Sequence, residues 1–552
     1  MMNMPSLPRW WLVVAGFALT FAQPVTAQLT RVDAVATELK WRVERLRSEG
    51  RVEAFDEGIG SDPLTLAVYE QRGFAPLWTD PASVESLLRA VDAVAQDGLD
   101  PEDYHRSSLA RGLEQPFDTG RRAELDLVAT DAFVRLAHDL RYGKVRPEGP
   151  AGGTNSWPFG GSDAVDQLVA IVSSGRVVTA LYDLRPRHFM YDGLVRALAA
   201  YRAIQKRGGW DSIPTGPTMG LDSADMRVPA LRGRLVIEGD LRPDEAVGGY
   251  VFDPRLEEGV KSFQHRHGLN EDGRVGDVTL AALNVPVERR IDQLRVNLER
   301  ARWIAHVLPD TLVAVNVAGA RVYVLEGDSV VFESRAIVGK DYTKTPVFTA
   351  PMRYVDLNPT WTVPPGIVGE VLADIRREPG YLERHSMKVL DAPGHEVDPA
   401  GVDFSQYTDS TFPYVFRQEP GPTNPLGRIK LMFPNEHNVY LHDTPTPELF
   451  GREERLFSHG CIRVEDPLGL AELVLGEPTT WNRATLREAI DSGAQRTIRL
   501  PTPIPVFVLY WTAAVDLQGT IHFSEDVYRR DAGILSALNA GRYGGTGVGL
   551  ER

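Results

Sequence analysis

Only one cysteine occurs in 552 residues. An intrachain disulfide is therefore excluded, and what remains is a reactive thiol, a thiol linked to a partner or a buried inert one. Basic charge is also in deficit. Lys and Arg total 60 against 75 Asp and Glu, a formal net charge of −15. A chain this acidic has no global pull toward nucleic acid or anionic lipid, so it must recognise its ligand locally and nucleic acid is not an expected partner. Long apolar runs are missing everywhere except at the start. There Arg9 precedes the run 10–22, and small residues follow at Val25-Thr26-Ala27. That run is short for a membrane span but suits a secretory signal over residues 1–27, the alternative being an uncleaved inner-membrane anchor facing the periplasm. Either way the body of the chain is expected outside the cytoplasm, and contact with a membrane is expected only if the signal stays uncleaved. In exported proteins cysteines mostly pair, which makes a solitary one notable.

What the chain does contain is ordinary globular material, 43% hydrophobic, 24% charged and 9% aromatic, long enough for two to four domains. Residues 28–244 read as a helical scaffold. Asp80-Pro81 is an N-cap followed by proline at the first helical position, and Val84, Leu87, Leu88, Val91 and Val94 recur at helical spacing until Gly98. A second helix carries Leu125, Val128, Ala132, Leu136 and Leu140, and 149–161, rich in Gly and Pro, reads as a loop. Residues 245–285 form a small separate unit of short helices around a glycine-punctuated turn. Its Phe263-Gln264, Gly268-Leu269, Asp272-Gly273, Gly276 and Thr279 resemble the three-helix peptidoglycan-binding domain. A connecting helix is expected over 286–309, from Ile291, Leu294, Leu298, Ala301, Ala305 and Leu308.

From Leu312 the texture changes to alternating strands: 312–317, 321–325, 330–338, 353–356, 429–433, 439–442 and 505–513. The stretch 364–424 interrupts them with a helix near 366–377 and a loop-like run, the pattern of a lid. The cysteine lies in this β-rich region, in Ser458-His459-Gly460-Cys461-Ile462-Arg463-Val464. A thiolate is the nucleophilic form, and an imidazole within reach can take the thiol proton. His442, ending the strand Val439-Tyr440-Leu441-His442, and His459 are both candidates. If 459–461 is extended, His459 and Cys461 face the same way. Gly460 and Cys461 offer N–H groups to an oxyanion, and Arg463 adds a cation able to hold a carboxylate or depress the thiol pKa. Zinc ligation by His442, His459 and Cys461 lacks an evident fourth ligand. No metal or cofactor is expected.

This segment, preceded by His442, resembles the signature of the L,D-transpeptidase catalytic domain. The likeness extends through Ile337-Val338-Gly339-Lys340, Thr345-Pro346-Val347-Phe348 and 358–365 (Asn-Pro-Thr-Trp-Thr-Val-Pro-Pro). Asp443 departs from the broader family, where many members carry Gly, but fits its large exported branch. The departure leaves open which group orients His442, a backbone carbonyl being one choice. The fold so implied is multi-domain α+β: helical scaffold, three-helix peptidoglycan-binding domain and a β-sandwich-like catalytic domain over 310–495 with a helical lid. A strand-rich extension follows over 496–552. The resemblance implies that Cys461 attacks the third stem residue and expels the terminal D-alanine, with His442 as base and acid. A neighbouring stem then opens the thioester, giving a third-to-third cross-link. His459, Gly460, Ser458 and Arg463 support, Trp361 and Tyr440 wall the donor groove, and carbapenems acylate the same thiol. Peptidoglycan stem peptides are the implied partners, together with other cell-wall synthesis enzymes. Hydrolysis of the thioester, attachment of a lipoprotein lysine to the wall, and a catalytically idle wall-binding scaffold are the alternatives.

Overall fold

The computed structural model describes residues 23–60, 62–114, 118–146, 163–245, 248–327 and 329–541. The apolar run 10–22 and the loop 149–161 lie outside the described residues. Among the described residues no helix is long and apolar enough to cross a membrane. The chain divides into two compact units. Among the described residues, one holds those up to 146, 163–186 and 536–541, and the other 187–535.

The first unit is helical, with one short hairpin that the sequence did not suggest, Arg51–Ala54 against Glu57–Gly60. Asp80 caps the helix Pro81–Ala93 by accepting the Ala82 N–H. The long helix Thr119–Tyr142 is buried on most sides, so its polar residues need internal partners. Asp126 finds them in the Leu77 and Trp78 N–H groups (3.0 and 2.7 Å) and the Tyr69 hydroxyl. These bonds tie the loop before Pro81 to the helix, and burial raises the Asp126 pKa to about 6.

In the second unit three helices surround the glycine-punctuated turn: α1 (Val228–Glu238), α2 (Pro254–Arg266) and α3 (Asp277–Leu283). Helix α1 lies before residue 245, in the stretch read from sequence as scaffold. Two buried arginines disguise its apolar face. Arg232 pairs with Asp253 at 2.5 Å, and Arg234 pairs with Glu238 at 2.7 Å while lying over the Trp210 ring. The residues that carried the resemblance form a buried knot. Gln264, 1% exposed, donates to Asp272, the Arg274 carbonyl and Thr279, and accepts the Gly273 N–H. The connecting helix α4 follows at Val287–Ile304.

The cysteine-bearing region is one curled sheet of nine strands: β1 (Thr311–Asn316), β2 (Arg321–Glu326), β3 (Ser329–Gly339), β4 (Phe348–Leu357), β5 (Ile429–Met432), β6 (Leu441–His442), β7 (Leu456–Ser458), β8 (Ile462–Val464) and β9 (Arg496–Leu509). The spatial order is β7-β3-β8-β6-β5-β4-β9-β1-β2, and β2 also pairs with β3, so the sheet closes on itself. Val313, Val315, Val355, Leu431, Leu441, Ile462 and Val506 line the inside, all 0% exposed, and Leu470 and Leu486 from two following helices pack with them. Strand β9 begins at 496, where sequence texture suggested an extension. It lies between β4 and β1, so it is part of the sheet itself.

The insertion is a folded subdomain rather than a helix with a loop. Helix α5 (Pro365–Arg377) packs on a four-stranded sheet of 361–362, 415–418, 387–390 and 396–397. It has its own core of Val363, Val371, Leu372, Val389 and Phe416, with Phe412 stacked on Phe416 at 4.6 Å.

Candidate active site

Strands β6 and β8 run parallel, with Leu441 opposite Ile462 and His442 opposite Arg463. Alternation sends Leu441 and Ile462 into the core and leaves His442 and Arg463 on the other face. One rung back on that same face stand Tyr440 and Cys461, joined through the Ile462 N–H to the Tyr440 carbonyl at 3.1 Å. The sheet thus makes His442 and Cys461 diagonal neighbours.

His442 is 4% exposed, and its Nδ1 lies 2.6 Å from the Asp443 carbonyl oxygen. A carbonyl only accepts, so Nδ1 carries the proton and Nε2 is left with its lone pair. Burial depresses the His442 pKa to about 3, helped by the positive charge of Arg463, so the imidazole is neutral at physiological pH. Cys461 is half-buried, and its Sγ donates to the Asn438 carbonyl at 3.7 Å. Burial pushes the thiol up, while the Tyr440 N–H and hydroxyl, Lys430 and Arg463 pull it down. The resting pair is therefore thiol and imidazole, not thiolate and imidazolium.

His459 does not share the face of Cys461. Gly460 between them has φ +112°, which ends the extended run and turns His459 toward the insertion, where its Nε2 meets Glu370 of α5 at 3.1 Å. Ser458 closes this turn. Its hydroxyl donates to the Cys461 carbonyl at 2.5 Å and accepts the Gly460 N–H at 3.1 Å. Of the two N–H groups considered for an oxyanion, that of Gly460 is thus already engaged. Tyr440 stands with its ring 5.6 Å from that of His442. Trp361 lies in the insertion's small sheet opposite Gln418, packed against the insertion's core. Among the described residues Arg463 reaches Thr446, at 3.5 Å, and its Nε is buried without a hydrogen-bond partner.

Two groups that sequence reasoning passed over complete the surroundings. Lys430 on β5 stands directly across from His442, with its Nζ 4.1 Å from the centre of the Tyr440 ring. Tyr528 braces the turn from beyond the sheet. Its hydroxyl donates to the Gly339 carbonyl at 2.6 Å and accepts the Thr345 N–H at 3.2 Å. Thr345 Oγ1 in turn donates to the Gly460 carbonyl at 2.9 Å, and Thr343 Oγ1 and the Lys340 N–H hold the Ser458 carbonyl. Gly339 is obligatory in this brace, because a Cβ there would fall 2.1 Å from the Thr343 carbonyl oxygen. Tyr528→Phe leaves the Thr345 N–H without its acceptor. The expected loss is about 1–2 kcal/mol locally, seen as roughly five- to thirtyfold faster hydrogen exchange of the Thr345 amide with little change in the helical first unit.

Comparison with known proteins finds matches to three domain models along the chain. Residues 310–505 match the L,D-transpeptidase catalytic domain, residues 227–283 a "Putative peptidoglycan binding domain" and residues 63–198 a scaffold domain. The protein carries an L,D-transpeptidase catalytic domain together with those two modules, and is multi-domain α+β. It is homologous to a "Putative L,D-transpeptidase" of Haemophilus influenzae, 33% identical over 251 residues. That match covers 45% of this chain and 50% of the relative, so the chain spans half of that relative's length. A shorter match, 27% over 105 residues, falls on epoxide hydrolase 1 of Sus scrofa and covers 19% of this chain and 22% of that one. The solved L,D-transpeptidase of Stackebrandtia nassauensis aligns with 53% of this chain and 97% of its own at 13% identity, with a TM-score of 0.21.

Proposed function

We propose that this protein is a peptidoglycan L,D-transpeptidase in which Cys461 is the nucleophile and His442 the general base and acid. The supporting observation is the pairing of a solitary thiol with an imidazole one rung away on the same sheet face, its ring held by the Asp443 carbonyl at Nδ1 and by a second backbone hydrogen bond to Pro425. The thiol gives its proton to His442 Nε2 as Sγ bonds to the carbonyl carbon of the third stem residue. The tetrahedral adduct collapses by breaking the amide C–N bond. His442 returns the proton to the departing amine, so D-alanine leaves and a thioester remains. The side-chain amine of a diamino acid in a second stem then attacks the thioester, passing its proton through His442 to the leaving Cys461 sulfur. Ser458, Gly460 and the Thr345 brace hold the turn that presents the sulfur, and His459 belongs to the lid contact.

In this reading the chain works in the periplasm after export by residues 1–27. The three-helix domain adds affinity for the wall, and carbapenems acylate Cys461. Incubation of purified disaccharide-tetrapeptides with the protein, followed by mass spectrometry, tests it. The expected product is a dimer lacking one D-alanine and linked between third residues. Tripeptides alone identify a hydrolase, and unchanged tetrapeptide sinks the proposal.

A further inference from the structure

Register aligns a row of polar residues across the open face of the sheet. Thr497 stands opposite Asp356, Asp356 opposite Lys430, Lys430 opposite His442, and His442 opposite Arg463. Two cations thus flank the imidazole. Neither is ion-paired among the described residues. Arg463 reaches a single threonine hydroxyl, and the Lys430 ammonium lies on the Tyr440 ring. The only acid in the row, Asp356, takes the Thr497 hydroxyl at 2.5 Å. Half-burying a cation without a counter-ion is costly, and here it happens twice within one row of a chain with 15 surplus negative charges. Burial accordingly pushes the Lys430 ammonium below its usual range, against the partial help of Asp356.

We infer that Lys430, with Arg463, forms a carboxylate clamp that binds the free chain end of the donor peptide. This rests on the transpeptidase reading above and names what that site selects. The residue expelled there ends in a carboxylate. Covalent geometry puts that carboxylate carbon within about 4 Å of the attacked carbonyl carbon. With the carbonyl at Cys461, the carboxylate falls beside Tyr440 and His442, between the two cations. A lysine is suited to this place because it meets a carboxylate as a point charge from a flexible stem, whereas Arg463 is fixed by its strand. The clamp also explains how an open sheet face restricts attack to the bond one residue from the chain end: an interior peptide bond presents an uncharged amide where the clamp needs an anion.

The test compares release of the terminal residue from a disaccharide-tetrapeptide and from the same donor with its C-terminus as the primary amide. The native enzyme is expected to prefer the acid by at least about tenfold in kcat/KM, mostly through KM. Lys430→Met is expected to bring the two donors within about twofold of each other, and Lys430→Arg to keep most of the preference. Because the preference is a ratio within one preparation, loss of folded protein cancels. Equal use of acid and amide by the native enzyme, or an unchanged ratio in Lys430→Met, overturns the clamp while leaving the transpeptidase reading intact. Release from neither donor by the native enzyme sinks both.

Discussion

Cys461→Ala is expected to reduce release of D-alanine and cross-linking by about 10⁴-fold or more, with the protein still folded. The expectation follows from composition as much as from geometry: there is no second thiol to substitute. It also follows from where the residue sits. Cys461 lies half-buried at the edge of a braced turn, and its sulfur meets polar partners rather than core side chains, the Asn438 carbonyl at 3.7 Å and the N–H and hydroxyl of Tyr440. Removing Sγ therefore deletes the nucleophile without opening a cavity, and stability should change by less than about 1 kcal/mol. Two measurements check this together. Intact-protein mass spectrometry after exposure to a carbapenem should show an adduct on the native chain, mapped to the peptide containing Cys461, and none on Cys461→Ala. Turnover of purified stems should vanish in the same variant. Residual cross-linking above the uncatalysed rate would mean that another group does the chemistry. A variant that loses activity but also loses its hydrogen-exchange protection would show the thiol to be structural.

Which parts of this were legible beforehand depends on how local their cause is. Asp80-Pro81 announces its helix, because capping is settled within a turn of chain, and the strand from Thr311 to Asn316 shows in its own alternation. The segment around Cys461 was legible for the same reason. Lys430 was not. It matters only because β5 pairs with β6 in a register that sets residues 430 and 442 side by side, and no spacing along the chain encodes that. Tyr528 was hidden likewise, reaching Gly339 across 189 positions of sequence. The insertion's strands are two to four residues long, too short for alternation to show, and are stabilised by an aromatic cluster rather than by a hydrophobic stripe. His459 shows the opposite error, where local reasoning saw too much. Two residues from Cys461, it would share its face in an extended strand, but the positive φ of Gly460 turns it away.

His442→Asn is expected to lower turnover by about 10²–10⁴-fold and, at the same time, to make the protein more resistant to acid. Both effects have one origin. The asparagine amide can keep the donor bond that Nδ1 makes to the Asp443 carbonyl, so the local backbone is retained, but no lone pair remains to take the thiol proton. For acid stability the sign is set by the depressed pKa. An exposed histidine titrates near about 6.5, whereas His442 in the folded protein stays neutral down to about 3. Between those values the unfolded chain binds a proton that the folded chain refuses. Stability therefore falls as pH falls through this window, by up to about 1.4 kcal/mol per pH unit from this group alone. His442→Asn removes that contribution, and its urea midpoint should decline less steeply than that of the native protein between pH 6.5 and pH 4. Thiol reactivity supplies a third reading. With the imidazole this hard to protonate and the thiol pushed up by burial, no thiolate–imidazolium pair should form at neutral pH. Iodoacetamide labelling of Cys461 should then rise about tenfold per pH unit up to about pH 8.5, without a plateau near pH 6. Such a plateau would place the proton on His442 in the resting enzyme and overturn the order of proton transfer, in which the thiol ionises only as it attacks.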